Sequence, residues 1–562
     1  MPSAAPVPCP PDLPAVRVAF YALVAGIFVA LDLGLALFVI RWNHPASVAL
    51  FGVLSVLFVG SAYGLARQVI ALTLRREHRL PRLEVLASRP RVAVLYATMN
   101  DVVPECLGAI RQNYPVDVYI LDDSSDPGAR ATVDTLAARH RFEVVRREHR
   151  TGFKAGAINA WFRRWGAAYD YLVLLDSDSY LPPDWVGEAL RYAEAPANRR
   201  VAVFQGLINI WNRDTRFVEA LAPMSRVGQF LWEEQLANAL DAVFCYGHNA
   251  LIRISAVAEI GGFVEGFVSE DFATAAALAE RDWHCRFVPL HTYEATPENV
   301  RGFIKRQNKW TRGAMEFVGF AHRYRLGKAR SFDLLQTPLG HLTSLLLPLG
   351  MFLTVYGYAS TPAGASAFLM AFLHNPLATF WSVPILRYLL VVGAAGTIPS
   401  VLVLRHCRIS WGTYWNHRWL SAAVSMIALP YEFQSMASYL VTRLRSIPVT
   451  PKSESPLRLR EVVYLSRYSL LLAGLLMAGI VALNPLAGLF NATWLVPMLL
   501  APLIVWRFGG PARPASGAGV VADRGEPTAY RMEPAHVRWA LSRSSSSGSW
   551  VLGSSVTLPT RA

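Results

Sequence analysis

Long apolar runs lie on both sides of residues 91–327, and none interrupts that segment. A membrane-spanning helix needs about 20 predominantly apolar residues, because the hydrocarbon core of a bilayer is about 30 Å thick. The runs that predict such helices are residues 18–40, 47–74, 334–358, 379–404, 462–483 and 493–508. We therefore expect about six membrane spans, in pairs within 18–74, 328–404 and 462–508, with one water-facing domain inserted among them.

The overall composition supports this division. Of the 562 residues, 53% are hydrophobic and 17% are charged, which is too apolar for an ordinary soluble protein. The net charge of +14 comes with arginines that cluster beside the apolar runs, as in residues 72–91. That pattern follows the positive-inside rule, so we expect the lipid bilayer as a partner and no nucleic acid. It also places the central domain and both termini in the cytosol.

The segments outside the spans and the domain are assigned by composition. Residues 1–17 are rich in proline and residues 509–562 in Ser, Gly and Arg, so both ends are predicted to be disordered. Residues 75–90 form a basic linker. Residues 405–446 are moderately apolar and have arginines on both sides, so one span between two cytosolic flanks is impossible and we predict interfacial helices. The five cysteines lack the spacing of a zinc site.

Residues 91–327 alternate short β-rich runs, such as VDVYILDD and YLVLLDSD, with helical stretches. That alternation predicts an α/β domain with a mostly parallel sheet. Ligands of such sheets bind at the carboxyl ends of the strands. Acidic residues follow several of the predicted strands, so we expect the functional site at that edge of the sheet.

Two motifs in the first half of the domain suit a nucleotide ligand. Asp122 and Asp123 end one predicted strand, where they can accept hydrogen bonds from a ligand, although a capped turn explains them equally well. Lys154 stands among small residues in RTGFKAGAINAWF, where it can contact a phosphate as a point charge. An ordinary basic helix start is the alternative for this second motif.

Asp176 and Asp178 follow the apolar run at the end of YLVLLDSDS. On an extended backbone, residues i and i+2 point the same way, so we expect these two carboxylates to converge. Two hard oxygen ligands suit Mg²⁺ or Mn²⁺, with substrate phosphates completing the coordination shell. A turn would also explain the motif.

Two later motifs suit proton transfer and acceptor binding. Glu270 and Asp271 precede an alanine-rich helix in VSEDFATAAALAE, where a carboxylate can act as a general base or can simply favour the helix start. The stretch IKRQNKWTRGAMEF offers positive charge for a leaving diphosphate and, in Trp310, a flat face for a sugar ring. The alternative for this stretch is a juxtamembrane helix that binds lipid headgroups.

In this order, and between membrane spans, the motifs resemble the membrane-integrated family-2 glycosyltransferases over about residues 91–485. Within that family the resemblance is to the catalytic subunit of bacterial cellulose synthase, a processive β-glycan synthase. It implies a GT-A-like cytosolic domain between transmembrane helices, a UDP-glucose donor, and Mg²⁺ or Mn²⁺. It also implies inverting transfer to a growing β-glucan acceptor that passes across the bacterial inner membrane, with accessory secretion subunits as further partners.

The resemblance also implies roles for individual residues. Asp271 matches the catalytic base, Asp176 and Asp178 the metal-binding pair, and Trp310 the tryptophan that stacks on the acceptor. The residues implied to contact the UDP-sugar are Thr98, Asp122, Asp123, Lys154, Asp176, Lys309, Arg312, Thr450 and Lys452, the last two in a gating-type loop at residues 447–461. The residues implied to contact the acceptor are Trp310, Cys245, Gly247, His248, Asn249 and Glu270.

The sequence departs from cellulose synthase where the acceptor should lie. Gly247, His248 and Asn249 differ from the cellulose synthase motif, and Gly-His-Asn also occurs in bacterial membrane glucosyltransferases that make osmoregulated glucans. Lys309 replaces an arginine and loses its bidentate geometry. The alternative function is therefore a membrane glucosyltransferase that makes a β-1,3, short or cyclic glucan. A lipid-phosphate glycosyltransferase and a non-enzymatic transporter explain fewer of the motifs.

Overall fold

The computed structural model describes residues 13–74, 80–357, 362–442 and 455–511. Most of the two ends that the sequence predicts to be disordered, and the first part of the predicted gating-type loop, lie outside these ranges. Their assignments stay predictions.

The described chain is largely helical, and its helices are numbered here in chain order. They are α1 Pro14–Phe38, α2 Pro45–Thr73, α3 Pro104–Gly108, α4 Pro127–His140, α5 Phe153–Trp165, α6 Trp185–Ala193, α7 Arg216–Gly228, α8 Ala237–Leu240, α9 Ile254–Glu259, α10 Glu270–Glu280, α11 Val300–Arg323, α12 Lys328–Tyr356, α13 Pro362–His374, α14 Pro376–Ser382, α15 Pro384–His406, α16 Trp411–Thr442, α17 Leu459–Leu465, α18 Arg467–Ala482 and α19 Ala487–Phe508. A π-helix at Gln229–Glu234 and short 3₁₀ turns at Gly166–Ala168 and Pro196–Asn198 complete the helical elements.

A single mixed sheet lies between α2 and α11. Its seven strands are β1 Val92–Thr98, β2 Asp117–Asp122, β3 Glu143–Val145, β4 Tyr171–Asp176, β5 Val201–Ile210, β6 Ala250–Arg253 and β7 His284–Glu294. Their order across the sheet is β3-β2-β1-β4-β6-β5-β7, and β6 runs antiparallel to both of its neighbours. The other pairings are parallel, which confirms the predicted α/β class.

The sheet is buried on both faces, which explains why its strands are nearly continuous apolar runs. Leu95 and Leu174 belong to the apolar cluster that contains Trp161 of α5. Val94 belongs to the opposite cluster, which contains Trp185 of α6. Successive residues of one strand thus pack on opposite sides, as the alternation of side chains along a strand requires.

The parallel strands bring their carboxyl ends to one edge. Thr98 at the end of β1 lies opposite Asp122 at the end of β2, and Ala97 lies opposite Asp176 at the end of β4. The acidic motifs therefore meet at the same edge of the sheet, where the sequence analysis expects the site.

Within the described residues, five helices are long and apolar enough to cross a membrane, namely Pro14–Phe38, Pro45–Thr73, Lys328–Tyr356, Leu386–His406 and Asn491–Phe508. A sixth candidate is the pair α17 and α18, which meet at a bend of 64°. Residues 411–442 form one continuous helix, α16, which is not among these candidates within the described chain. The location of α16 at the membrane interface stays a prediction.

Asp32 and Asp333 lie in helices that are candidate membrane spans, where an isolated carboxylate is costly. Each has a hydroxyl partner from another helix. Ser55 of α2 donates to Asp32 over 2.6 Å, and Tyr21 of α1 donates to Asp333 over 2.6 Å. These bonds also connect the first two helices to each other and to α12.

A buried ion cluster joins α12 to the sheet domain. Arg330, near the start of α12, and Arg286 of β7 both contact the carboxylate of Asp241, and the Arg286 contact is 2.6 Å long. His284 lies 2.9 Å from the same carboxylate. Burial would raise the pKa of Asp241, but these three partners hold it well below its usual range. The cluster therefore fixes α12 against the domain with a charged carboxylate at its centre.

Candidate active site

The loop after β1 is tied to the loop after β4 through Asp101. Its carboxylate accepts a hydrogen bond from Thr98 over 3.0 Å and one from Ser177 over 2.8 Å. The Thr98 hydroxyl, which the sequence assigns to the UDP-sugar, is therefore occupied by a local bond. Asp101 holds the two loops at a fixed separation, a role that the sequence analysis does not identify.

Asp122 and Asp123 both lie against arginines that follow β3. Arg146 donates to Asp122 over 2.7 Å, and Arg147 contacts both carboxylate oxygens of Asp123, one of them over 3.0 Å. Both carboxylates are almost fully buried, so these ion pairs orient them rigidly. The sequence predicts neither arginine partner.

Lys154 joins three separate parts of the domain. It lies in the first turn of α5, and its ammonium group contacts Asp176 at the end of β4. The same group donates to the carbonyl oxygen of Gly247 over 2.7 Å. Burial alone would lower the pKa of Lys154, but Asp176 raises it above its ordinary value. Lys154 is therefore a fixed cation at the strand ends.

The structure corrects the expected backbone conformation of the Asp-Ser-Asp motif. Asp176 is the last residue of β4, whereas Ser177 and Asp178 lie in a turn closed by the amide of Ser179, which donates to the Asp176 carbonyl over 3.0 Å. The i, i+2 rule for an extended strand therefore does not apply here. The Asp178 side chain is buried, and its carbonyl accepts a bond from Trp211 over 2.9 Å.

His248 lies between two carboxylates. One ring nitrogen donates to Glu294 over 2.6 Å, and the other donates to the carbonyl of Tyr246 over 2.9 Å and lies 3.9 Å from Asp176. Burial acts to lower the pKa of His248, but Asp176 and Glu294 together raise it to about 9. The imidazole is therefore a second cation beside Lys154 at neutral pH.

The turn that carries His248 has an unusual backbone, and Gln205 of β5 holds it. Gly247 has a φ of 77° and Asn249 a φ of 54°. Gln205 donates to the carbonyl of His248 over 2.9 Å and accepts from the amide of Tyr246 over 3.1 Å. Only glycine suits position 247, since a Cβ atom there would lie 2.8 Å from the carboxylate of Asp271.

That close approach places Asp271 beside the turn that Lys154 also contacts. Burial raises the pKa of Asp271, while the Phe272 amide, Lys154 and Lys309 oppose the rise. Burial and the charge of Asp271 raise the pKa of the neighbouring Glu270 to about 7. A carboxylate pair in this state can exchange protons near neutral pH.

Helix α11 carries the remaining candidates, and they point in different directions. Lys309 acts electrostatically on Glu270 and Asp271, whereas the sequence analysis expects it at the donor diphosphate. Trp310 is 52% exposed, and the guanidinium of Arg306 lies 4.6 Å from its ring centre. Arg312 donates to Ser435 of α16 over 3.0 Å, so this bond is directed at the helix bundle.

Several candidates occupy supporting positions or lie outside the described ranges. Cys245 is buried, its sulfur accepts a bond from the amide of Gly247 over 3.4 Å, and burial raises the pKa of its thiol. Asn249 is fully buried beneath the turn. Thr450 and Lys452 lie outside the described residues.

The described residues hold no group of three or more His, Cys, Asp or Glu side chains placed to bind a metal ion. Asp176 and Asp178 therefore supply at most part of a coordination shell. The Asp176 side chain is 37% exposed, so it can reach an ion while it contacts Lys154. Two carboxylate oxygens fit Mg²⁺ or Mn²⁺ if donor phosphates complete the shell.

No sequence motif identifies Glu294, Gln205 or Asp101 as a site residue. Glu294 belongs to no recognisable motif, and Gln205 lies inside a buried strand. A buried glutamine in an apolar run, as in VAVFQGL, is the one signal that could have identified it, since buried polar groups need partners.

One protein family matches the second half of the sheet domain and the first helices after it. Residues 171–396 match the protein family described as glycosyl transferase family group 2. This match and the mixed seven-stranded sheet indicate a GT-A-like fold for the domain. The fold class implied by the sequence resemblance is confirmed.

Two curated relatives indicate a more specific similarity. The chain is similar to glucans biosynthesis glucosyltransferase H of Rhodopseudomonas palustris, at 29% identity over an alignment of 260 residues that covers 40% of this chain and 35% of that protein. It is also similar to the protein of that name from Caulobacter vibrioides, at 30% identity over an alignment of 223 residues that covers 36% of this chain and 33% of the relative. The chain thus spans about a third of each relative's length. Neither is a cellulose synthase, which corrects the narrower resemblance.

A solved structure adds a distant likeness. The mannosyltransferase PcManGT from Pyrobaculum calidifontis, in complex with GDP-Man and Mn2+, is 18% identical with a TM-score of 0.41, and the match covers 68% of this chain and 98% of that one.

Proposed function

We propose that this chain is a membrane glucosyltransferase that uses UDP-glucose and extends a glucan other than cellulose. The supporting observation is the arrangement around Gly247, whose carbonyl accepts from Lys154 and whose Cα abuts Asp271. A cation suited to a leaving diphosphate and a carboxylate suited to an acceptor hydroxyl thus share one turn. The similarity to glucans biosynthesis glucosyltransferase H supports glucose as the sugar and a glucan as the product.

In the proposed reaction Asp271 is the general base. Its carboxylate takes the proton from an acceptor hydroxyl, and the acceptor oxygen attacks the anomeric carbon of the donor in line. The bond between that carbon and the phosphate oxygen breaks, and its electron pair leaves with UDP, which inverts the configuration. The raised pKa of Asp271 suits this step because a base works best when its pKa approaches the working pH.

The charge that develops on the leaving diphosphate needs nearby cations. Lys154 and His248 are the protein groups proposed for this task, because fixed charges at the leaving group stabilise the transition state. Asp176 and Asp178 are proposed to hold Mg²⁺ or Mn²⁺, which would neutralise further charge on the diphosphate. Arg146 and Arg147 orient Asp122 and Asp123, which are the proposed acceptors for the uridine.

Trp310 is the proposed platform for the acceptor sugar, since its ring is half-exposed and braced by Arg306. The apolar helices support an inner-membrane location, with the site on the cytosolic side where UDP-glucose is available. Passage of the glucan between the helices is part of the proposal.

The test uses membranes that contain the full chain. They are incubated with radiolabelled UDP-glucose and either Mg²⁺ or Mn²⁺, and any polymer is digested with linkage-specific glucanases. We expect incorporation into a glucan that resists β-1,4-glucanase. A β-1,4 product would indicate a cellulose synthase instead. If folded protein incorporates sugar from no nucleotide sugar, the enzyme proposal is overturned.

A further inference from the structure

One face of α11 contacts the segment that carries the proposed base. Glu316 lies in the second half of α11 and is only 4% exposed. Its Oε2 atom accepts a hydrogen bond from the amide of Val268 over 2.9 Å and another from the amide of Ser269 over 3.0 Å. These two residues directly precede Glu270 and Asp271. The buried Glu316 carboxylate of α11 therefore holds the backbone that leads into α10.

Gly313 brings the two segments close together. It lies three residues before Glu316, so both face the same side of the helix. A Cβ atom at position 313 would lie 2.1 Å from the hydroxyl oxygen of Ser269. The absence of a side chain at Gly313 thus lets α11 approach the residue whose amide Glu316 binds.

The backbone start of α10 depends on this contact. Ser269 is the residue before α10, and its side chain forms no capping bond to the helix. Its amide instead bonds to Glu316, which is 47 residues away in sequence. Since Asp271 is in the first turn of α10, the position of its carboxylate is set partly by α11.

The same helix presents the proposed acceptor platform. Trp310 lies one turn before Gly313 on α11, with Lys309 beside it. The distance from the Trp310 ring to the Asp271 carboxylate therefore depends on how firmly α11 holds the Val268–Ser269 backbone. A general base must lie within hydrogen-bond reach of the hydroxyl that it deprotonates.

We propose that Glu316 is a positioning residue that fixes the Asp271 segment against the acceptor-binding face of α11. This proposal rests on the proposed function, in which Asp271 is the base. A carboxylate suits the role because one of its oxygens can accept hydrogen bonds from both amides at once. Glutamine can still accept at the same point, whereas alanine cannot.

The first experiment compares Glu316→Ala with Glu316→Gln in membranes that contain the full chain. We expect Glu316→Ala to lower kcat about 100-fold, because displacement of a catalytic group by about 1 Å can have that effect. The KM for UDP-glucose should change little, since the donor contacts lie at the strand ends. Glu316→Gln should recover most of the lost rate. Glu280→Ala, at the exposed far end of α10, is the matched control and should behave as wild type.

A second experiment uses the close approach at Gly313. In Gly313→Ala the new methyl group meets the Ser269 hydroxyl, so kcat should fall. In the double variant Gly313→Ala with Ser269→Ala that oxygen is absent, and the nearest atoms are Cβ of residue 269 at 3.5 Å and a Val268 methyl at 3.7 Å. Both are ordinary contacts, so the double variant should regain activity that the single variant loses.

Hydrogen exchange separates this proposal from the proposed function. The amides of Val268 and Ser269 should exchange faster in Glu316→Ala, whether or not the protein transfers sugar. If wild type transfers no sugar, the proposed function fails, and the positioning role falls with it, even where exchange reveals the contact. Faster exchange with an unchanged kcat would overturn the positioning role, as would a Glu316→Gln variant no more active than Glu316→Ala.

Discussion

The two acids at the end of β2 and the two acids at the start of α10 are all carboxylates, but they have different partners. Asp122 and Asp123 each form an ion pair with an arginine. In the described part of the chain, Glu270 and Asp271 form no such pair, and burial raises the pKa of both. At Glu270 and Asp271 burial raises the pKa more than the charges of Lys154 and Lys309 lower it.

The two pairs of acids suit different tasks, ligand binding for Asp122 and Asp123 and proton transfer for Glu270 and Asp271. An ion-paired carboxylate has a fixed geometry and suits the recognition of a ligand. A carboxylate whose pKa is raised by burial can accept a proton and release it near neutral pH. We therefore expect substitutions of the two pairs to affect different kinetic parameters and to differ in the size of the effect.

The largest effect is expected for Asp271→Asn. Loss of a general base lowers rates by about 10²- to 10⁴-fold, so we expect transfer to fall about a thousandfold. Binding of UDP, measured by isothermal titration calorimetry, should be unchanged. Asp282→Asn, in the exposed turn after α10, is the control and should retain wild-type activity. Full turnover by Asp271→Asn would show that another group is the base.

A smaller loss is expected for Lys154→Met. It removes the cation that contacts Asp176 and Gly247, and the loss of one stabilising group at a developing charge lowers kcat by about 10²-fold. Initial rates at saturating UDP-glucose measure the effect, with Lys328→Met at the start of α12 as the control. Unchanged kcat with a higher KM would assign Lys154 to donor binding alone.

The pH profile tests the acids of α10 directly. Since their pKa values are raised, the wild-type rate should fall as the pH is lowered through about 7, where Glu270 takes up its proton. Lys309 lowers the pKa of both acids, so Lys309→Met should move this limb to higher pH. The rate at pH 7 should drop by about tenfold or less and should recover in alkaline buffer. An unmoved limb would contradict the electrostatic role of Lys309.

The smallest effect is expected for Asp123→Asn. Asparagine keeps one acceptor oxygen but loses the ion pair with Arg147, so the KM for UDP-glucose should rise about fivefold, the equivalent of one hydrogen bond. The shape of the pH profile should not change, because Asp123 takes no part in proton transfer. A shifted profile would remove the distinction between the two pairs of acids.

The fold was predictable to a large extent because its signals are local. The apolar runs mark the long helices, and the β-rich runs mark strands that end at Thr98, Asp122 and Asp176. Parallel pairing of such strands is enough to bring the acidic motifs to one edge. The turn at Asp178 was not predictable from the same pattern, since an Asp-Ser-Asp motif suits both an extended strand and a turn.

Local sequence patterns could not predict partners that are distant in sequence. Nothing in the letters around Lys154 indicates a bond to Gly247, and nothing around His248 indicates Glu294. The replacement of Arg by Lys at position 309 raised a question about the diphosphate, yet the structure directs that charge toward Glu270 and Asp271. Such pairings depend on how elements pack, which residue type alone does not specify.

The sequence by itself determined which segments are apolar helices, which are strands, and which carboxylates end those strands, because hydrophobic periodicity and turn chemistry act over a few residues. Only the tertiary structure decided the surroundings of each carboxylate. It paired Asp122 and Asp123 with arginines, left Asp271 buried beside Gly247, and anchored its segment to Glu316 of α11. The physical reason is that burial and neighbouring charge set a pKa, and both arise from contacts between residues far apart in the chain.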